Sequence, residues 1–469
     1  MNSPRISRRG FCGAALAASS LVAAGIPLRA LAAEGRPPVG TPANVRVSHD
    51  GQPVHAEPSL AVNPRDPRNL LAACRVNGKL ATYASFDGGL TWRSNGPLPL
   101  PAGTVGSINA SVGFDGTGRG FVCGTCVHII SANKHHLRLN NSVHVYRTDD
   151  GGRTFTPPVR VTAPLAASGV GIVDRPWLAT ESRGPVVHVL WSYAKGTTPV
   201  PTTALGYARS FDGGQTFEAP RTIASVTSTD PPGTELGNSM IACGSPGSVY
   251  VIYAVGPYGS AAPMAGTPSP ETPATVTVLV SQDGGQTFGP PVSLGPCTIN
   301  MSFPSLIATA DTFPVIAAHP GRGLACAAYA VHQAGTSHSD ILLTASRDGG
   351  RTWSAATAVT PQDQVLYFEP WVAIDDAGRI GVMAFALAND RVSVVLMLSK
   401  PGSLRFAPPI TITSHPFNPN KSGPGGKDWF LGDYQALATT PGAFHPLWND
   451  TRAGQLQLFT ATVRARDEK

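Results

Sequence analysis

A single octet, repeated five times, sets the strongest limit on how this chain can fold. Each copy has the pattern Ser/Thr-x-Asp-Gly-Gly-x-Thr-aromatic, and the copies begin at Ser85, Thr148, Ser210, Ser281 and Ser346. Successive copies start 63, 62, 71 and 65 residues apart. A nearly fixed period of this length predicts a repeat architecture in which each unit is one supersecondary structure.

The chemistry of the octet is that of a hairpin turn. The Asp-Gly-Gly core supplies the positive φ angles that a tight turn needs. The carboxylate and the hydroxyls can bond to the backbone of the turn, and the final aromatic ring can anchor the hairpin. The octet aspartates are therefore predicted to be structural and not catalytic: Asp87, Asp150, Asp212, Asp283 and Asp348.

A second element recurs between the octets, consisting of an apolar strand, a turn with Gly or Pro, and another apolar strand. Its seven copies begin at Pro58, Ala110, Trp177, Met240, Val315, Trp371 and Ala436. The sixth unit keeps a degenerate octet with Pro401 in place of Asp, and the seventh has no octet. Five second strands end in an aromatic residue, which indicates packing between units: Trp191, Tyr253, Tyr329, Phe385 and Trp448.

The composition favours an all-β fold made of these seven units. Only 14% of residues are charged, 42% are hydrophobic, and the 469 residues include 51 Gly and 44 Pro. Such a chain is rich in turns and has ample apolar surface to bury. An open blade edge invites mispairing, so the ring must close. We predict one domain over residues 33–469, a seven-bladed β-propeller of four-stranded antiparallel sheets, with an N-terminal strand at about 43–48 completing the last blade.

The octet resembles the Asp-box, or bacterial neuraminidase repeat, of the sialidase superfamily, and the resemblance covers roughly residues 43–463. It implies a propeller whose octets lie on the face away from the active site. It also implies retaining hydrolysis by a Tyr nucleophile assisted by Glu, with an Asp acid/base and three Arg that bind the sugar carboxylate. Sialidases usually have six blades, which is the alternative fold. Their Arg-Ile-Pro motif is absent here, and Arg46 is the nearest candidate for its Arg.

Residues 1–32 are predicted to be a signal peptide of the twin-arginine type. Arg8 and Arg9 precede Phe11, an apolar run follows at 12–26, and Ala30-Leu31-Ala32 ends the segment. This pattern predicts export to the periplasm or the extracellular space. No later stretch is apolar enough for membrane insertion. Without this segment the chain has 31 basic and 29 acidic residues, so a nucleic-acid partner is not predicted.

Six cysteines follow the predicted signal peptide: Cys74, Cys123, Cys126, Cys243, Cys297 and Cys326. An even number in an exported chain permits disulfides, and buried thiols are the alternative. The pair Cys123 and Cys126 lacks a second Cys or His pair at zinc-ligand spacing. The sequence therefore predicts no metal site and no cofactor.

Strand direction places the connections into the first strands, and those between second and third strands, on the face opposite the octets. We call these the ligand face and the octet face. Carboxylates that move protons, aromatic rings that stack on sugars, and arginines that hold acids gather on the ligand face. We predict catalytic roles for Glu369, Asp433 and Tyr434. Substrate-binding roles are predicted for Asp174, Arg175, Trp177, Trp371, Trp429, Asp450 and Arg452, and Glu57, Asn109 and Asn238 lie at similar points.

Two interpretations of these residues stay open. In one, the protein is an exported, sialidase-like glycoside hydrolase, with a polysaccharide lyase as a variant. In the other, it is a non-catalytic propeller that binds a glycan or a protein partner. At single positions the alternative is a structural ion pair, and Asp174 with Arg175, and Asp450 with Arg452, are the strongest cases.

Overall fold

The computed structural model describes residues 41–132, 137–162, 170–195, 202–227, 234–257, 273–301, 310–332, 336, 338–422 and 431–465. The predicted signal peptide and Trp429 lie outside the described residues. No helix in these ranges has the length and apolarity that a membrane span requires.

Apart from one short two-stranded pair, the described strands form seven sheets that radiate from one axis. The chain begins with β1 (Asn44–Arg46) and continues with blade 1, β2 (His55–Asn63), β3 (Asp66–Val76), β4 (Lys79–Ser85) and β5 (Arg93–Pro97). Blade 2 contains β6 (Gly106–Phe114), β7 (Gly120–Ala132), β8 (Leu137–Thr148) and β9 (Val159–Arg160). Blade 3 contains β10 (Val170–Thr180), β11 (Val187–Lys195), β12 (Thr202–Ser210) and β13 (Arg221–Thr227). Blade 4 contains β14 (Thr234–Cys243), β15 (Val249–Pro257), β16 (Pro273–Ser281) and β17 (Val292–Thr298).

The second half of the chain repeats the arrangement. A short pair, β18 (Asn300–Met301) and β19 (Ala310–Asp311), precedes blade 5, which contains β20 (Val315–Ala318), β21 (Ala325–His332), β22 (Ser339–Ser346) and β23 (Thr357–Ala358). Blade 6 contains β24 (Leu366–Ile374), β25 (Ile380–Ala388), β26 (Arg391–Leu398) and β27 (Ile410–Thr411). After a 3-10 helix at Pro419–Lys421, blade 7 contains β28 (Ala436–Thr440), β29 (Ala443–Asp450) and β30 (Gln457–Ala461), with β31 (Val463–Arg464) also paired to β29.

Closure of the ring is visible in the contacts between first strands. In blades 1 to 6 the four strands pair antiparallel in chain order. Neighbouring first strands touch in a full circle, from β2 through β6, β10, β14, β20, β24 and β28 back to β2. The predicted seven-bladed propeller is therefore confirmed, and the six-bladed alternative is wrong.

The two ends of the described chain meet in blade 7. Strand β1 lies antiparallel to β30, with Val45 opposite Thr460, and takes the outer position of the sheet. The Val47 N–H donates to the carbonyl of Leu458 at 2.8 Å, and the Ser48 hydroxyl donates to Oε1 of Gln457 at 2.7 Å. These bonds fasten the N-terminal segment, which leads into blade 1, to the third strand of blade 7.

Aromatic side chains of the second strands fill the spaces between blades. All five that the repeat indicated are 5% exposed or less: Trp191, Tyr253, Tyr329, Phe385 and Trp448. They belong to the apolar clusters that run between sheets. Burial of rings of this size contributes about 2–3 kcal/mol each, so these residues hold the blades together.

The octets form the turns between third and fourth strands, and each carboxylate is used by its own turn. Oδ1 of Asp212 accepts hydrogen bonds from Ser210 Oγ at 2.8 Å and from the backbone N–H of Thr216 at 2.9 Å. Oδ2 accepts from Thr216 Oγ1 at 2.6 Å. Gly213 and Gly214 have φ of 70° and 73°, which a side chain would disfavour. The other four octets have the same bonds.

We expect Asp212→Ala to lower the free energy of unfolding by about 1–3 kcal/mol, because several turn donors lose their acceptor. Although burial opposes the shift, hydrogen bonds from Thr216 lower the pKa of Asp212 to about 2. The contribution is therefore present above about pH 4 and lost as the pH falls toward about 2. Urea unfolding at pH 7 measures it. The control is Asp149→Ala, which removes an exposed carboxylate of the blade 2 octet that does not bond to its turn; equal losses in both variants would contradict the account.

Candidate active site

Five first strands carry the same distortion where they start at the ligand face. Each has a β-bulge, and one residue in the bulge has a positive φ. The residues are Glu57 (59°), Asn109 (59°), Arg175 (49°), Asn238 (52°) and Glu369 (46°). A non-glycine residue in this conformation costs about 1–3 kcal/mol, and bulges re-aim side chains near functional sites. The corresponding positions in blades 5 and 7 hold Phe313 and Tyr434. We call these seven residues the bulge ring.

Contacts across the axis show that the bulge ring converges. Arg175 of blade 3 donates through Nη2 to Oδ2 of Asp433, which precedes blade 7, at 3.2 Å. Blades 3 and 7 are not neighbours, so this contact crosses the central channel. Nη1 of Arg175 donates to Oδ1 of Asn238 at 2.5 Å, and the guanidinium carbon lies 4.4 Å from the Phe313 ring centroid. Arg175 therefore links blades 3, 4, 5 and 7.

Aromatic rings close the channel beneath this cluster. The Trp177 ring meets the Tyr434 ring edge-on at 4.9 Å, and the Trp371 ring lies 5.5 Å from Trp177. The Phe313 ring lies 6.3 Å from Tyr434. Trp177 and Trp371 each stand two residues beyond the bulge ring, further toward the octet face. They form an aromatic floor with only 4% and 7% exposure.

Two carboxyl groups lie close to Arg175. Glu57 is 3% exposed. Burial, with the negative charge of Asp433 as the next cause, raises the pKa of Glu57 from its usual 4.5 to about 8. Burial also raises the pKa of Asp433, although Arg175 opposes the shift. Oε2 of Glu57 has no hydrogen-bond partner among the described residues. The pair therefore retains a proton at neutral pH.

Tyr434 is placed in the floor beside this pair. Burial, together with the charges of Glu57 and Asp433, raises the pKa of the Tyr434 hydroxyl well above its usual range. A phenolate is disfavoured there. The arrangement therefore favours the carboxyl groups over Tyr434 as the groups that exchange protons.

Two further predicted site residues, Glu369 and Asp174, differ in how far their side chains are buried. Glu369 belongs to the bulge ring and is 2% exposed; its N–H donates to Thr312 Oγ1 at 3.0 Å, and its carbonyl accepts from Gln435 Nε2 at 3.3 Å. Asp174 lies at the rim with a side chain 42% exposed, and its Oδ1 accepts from the backbone N–H of Arg175 at 2.9 Å.

Asp450 and Arg452 form a pair that connects the end of β29 to β1 and to the segment after β27. Arg452 Nε donates to Oδ2 of the fully buried Asp450 at 2.7 Å. Its Nη1 donates to Asn44 Oδ1 at 2.8 Å and to Ser414 Oγ at 2.6 Å. These contacts hold β1 against blade 7, and they match the structural alternative for this pair.

Sequence reasoning placed Glu57 and Asn238 on the ligand face without assigning them a role, and it did not identify Arg75 or Phe313. Arg75 lies opposite Ala56 at the end of β3, close enough for its charge to lower the pKa of Glu57. Glu57, Arg175, Phe313 and Glu369 each precede a proline at the same position of the repeat. Comparison of that one position across the seven units is the signal that identifies the bulge ring.

The described residues contain no group of three or more His, Cys, Asp or Glu that could hold a metal ion. All six cysteines predicted to follow the signal peptide are free thiols in the structure. Burial raises the pKa of Cys126 to about 11 and of Cys297 to about 12. These thiols therefore stay protonated at neutral pH and behave as small apolar side chains.

No family model and no curated protein matches the sequence. Solved structures are similar at low identity. The polysaccharide lyase Uly1 gives a TM-score of 0.48 at 8% identity, over 91% of this chain and 100% of that chain. The GH93 α-L-arabinofuranosidase of Fusarium graminearum gives 0.47 at 15%, over 90% and 98%. The Trypanosoma rangeli sialidase gives 0.40 at 12%, over 79% and 56%. Likeness at this level concerns the fold alone.

We expect Arg452→Met to destabilise the protein by about 3–5 kcal/mol, because it leaves Asp450 buried without its partner. Chemical unfolding of the purified variant measures the loss. Unchanged stability together with weakened ligand binding would instead support the predicted substrate-binding role of Arg452.

We also expect Glu57→Gln to change how stability depends on pH. Between about pH 4.5 and pH 8 the folded chain holds a proton on Glu57 that the unfolded chain has released. The stability of the wild type therefore falls as the pH rises through this window. Glutamine cannot ionise, so the melting temperature of the variant minus that of the wild type should increase from pH 5 to pH 8. The corresponding change in the free energy of unfolding is roughly several kcal/mol at most. Asp376→Asn, which changes an exposed carboxylate, is the control. A melting-temperature difference between Glu57→Gln and the wild type that stays constant with pH would contradict a buried, protonated Glu57.

Proposed function

We propose that this protein is an exported, sialidase-like glycoside hydrolase that acts on a glycan at the ligand face. The observation that carries the proposal is the Glu57–Asp433 pair. Burial keeps a proton on this pair at neutral pH, beside Arg175 and above the aromatic floor. Perturbed titratable groups that converge on the mouth of a fold are a marker of an active site.

Hydrolysis of a glycosidic bond needs an acid that protonates the leaving oxygen and a second, ionised carboxylate. Glu57, with its raised pKa, supplies the acid. Asp433, which accepts a hydrogen bond from Arg175, serves as the ionised partner and acts as base or nucleophile. When Asp433 is ionised, its charge favours the protonated form of Glu57, so the two roles support each other. Glu369, in the same ring, remains a predicted catalytic residue.

The remaining ring residues are suited to hold a sugar. Asn109 and Asn238 offer amide groups to hydroxyls, and Asn109 Oδ1 and Asn238 Nδ2 have no partner among the described residues. Arg75 and Arg175 place positive charge near the carboxyl pair, which favours an acidic sugar. Together with the resemblance of the octets, this positive charge supports a more specific proposal, that the enzyme has an exo-α-sialidase-like specificity. Export by the signal predicted at residues 1–32 would bring the enzyme to such glycans.

One observation favours the alternative, a propeller that binds a glycan or protein without catalysis. Glu57, Glu369 and Tyr434 are at most 3% exposed, whereas Asp174 at the rim is well exposed. A partner that touched only the rim would bind through Asp174 and its neighbours and would undergo no reaction.

We expect the full-length protein to hydrolyse a methylumbelliferyl glycoside, an α-sialoside being the first choice. Glu57→Gln and Asp433→Asn should each lower kcat/KM by roughly 10²–10⁴, because each removes a proton-transfer group. In the wild type, activity should fall above about pH 8 as Glu57 loses its proton. Release of the fluorophore measures turnover, and uronic polysaccharides with ultraviolet detection test for a lyase.

The matched control is Asp212→Asn, which removes a carboxylate from the octet face; with its folding verified by circular dichroism, it should keep wild-type turnover. Turnover that survives in Glu57→Gln and Asp433→Asn would contradict the catalytic assignment. Glycan binding without turnover on any of these substrates would establish the non-catalytic alternative.

A further inference from the structure

A large groove lies on the octet face, over the blade that joins the two chain ends. It has a volume of about 1590 Å³ and is lined by blades 6, 7 and 1. At this place blade 7 has no octet, and the turn of blade 6 has Pro401 where other units have Asp. Pro42, just before β1, and Ala465, just after β31, line its wall. We call it the seam groove.

The seam groove is basic. Exposed Lys400 and Arg405 come from blade 6, Arg464 from blade 7, and Arg68 from blade 1. Arg68 shares a 3.1 Å ion pair with Asp66. No carboxylate among the described residues forms an ion pair with Arg405 or Arg464. A row of cations across three blades attracts an extended anion.

The other polar groups of the groove do not cancel this charge. Among the described lining residues the carboxylate is Asp87, which contributes one negative charge against the four exposed cations. Arg379 is paired with the buried Asp375 at 3.2 Å. Burial lowers the pKa of His445 to about 4, so this ring is neutral at physiological pH. The net charge that the described residues present to a ligand is therefore positive.

The size and lining of the groove point to a polymer. Pockets for small molecules measure about 300–1,000 Å³, and this groove is larger. Leu90, which is 67% exposed, and Phe406 add apolar surface between the cations. Such surface suits the apolar faces of sugar rings, while the cations suit carboxylate or sulfate groups.

We propose that the seam groove is a second binding site, which holds an acidic polysaccharide on the face opposite the mouth. The choice of a polysaccharide over an acidic peptide rests on the proposed function. An enzyme held on its polymer works at a raised effective concentration of substrate. The groove residues are remote from the bulge ring, so binding here and turnover at the mouth are separable.

The test is binding of size-defined polygalacturonate to the full chain at low and at physiological salt, by isothermal calorimetry. We expect binding that weakens with salt, and a roughly tenfold weaker affinity in the double variant Arg405→Ala/Arg464→Ala. The matched control is Arg351→Ala, which removes an exposed arginine of the blade 5 octet on the same face. It should bind as the wild type does. Turnover of a small soluble glycoside should be unchanged in the double variant.

Three results would overturn the proposal. The first is no binding of polygalacturonate at low salt. The second is equal affinity in the wild type and in the double variant, which would locate binding elsewhere. The third is that polyglutamate, tested in parallel, binds more tightly than polygalacturonate and loses affinity in the double variant, which would assign the groove to an acidic protein. Absence of turnover alongside groove binding would count against the proposed function alone.

Discussion

Ring closure is the constraint on which the rest of this structure depends. A propeller blade has exposed sheet edges, and the seven blades are stable as a set because each covers its neighbour. In this chain the last blade is completed by β1, which pairs with β30 through Val45 and Thr460. Ser48 and Gln457 strengthen the seam, and Arg452 ties β1 to Asp450. Closure brings the seven first strands to one axis, and only then do the bulge-ring residues meet.

The two faces of the ring use acidic residues in opposite ways. On the octet face, the carboxylates are satisfied by their own turns, and their pKa values are lowered. On the ligand face, Glu57 and Asp433 are buried, and their pKa values are raised. Five strained residues of the bulge ring add an energetic cost that the packed blades must offset. Strain and buried charge concentrated at one end of a stable ring are what a functional site requires.

Much of the fold was predictable because each repeat carries its own local signal. The octets predict hairpin turns from Asp-Gly-Gly, and the repeated strand pairs give seven blades even where Pro401 stands in place of the Asp. The site was only partly predictable. Strand direction placed Asp433, Arg175 and Glu369 on the ligand face, and the structure brings Arg175 and Asp433 into contact. Glu57 gained its importance from burial near the charge of Asp433, an interaction between distant parts of the chain that no local pattern encodes. Trp177 and Trp371 are aromatic signals that the structure places in the channel floor.

The central claim is that the ring gathers a proton-sharing carboxyl pair, Glu57 and Asp433, at the place where a sugar binds. The most direct test is a crystal structure of the Glu57→Gln variant soaked with its glycan. The account predicts a sugar on the ligand face, with ring or glycosidic oxygens within hydrogen-bond distance of residue 57 and Asp433. A sugar bound with neither carboxyl position in reach, while the same protein turns that glycan over, would contradict it.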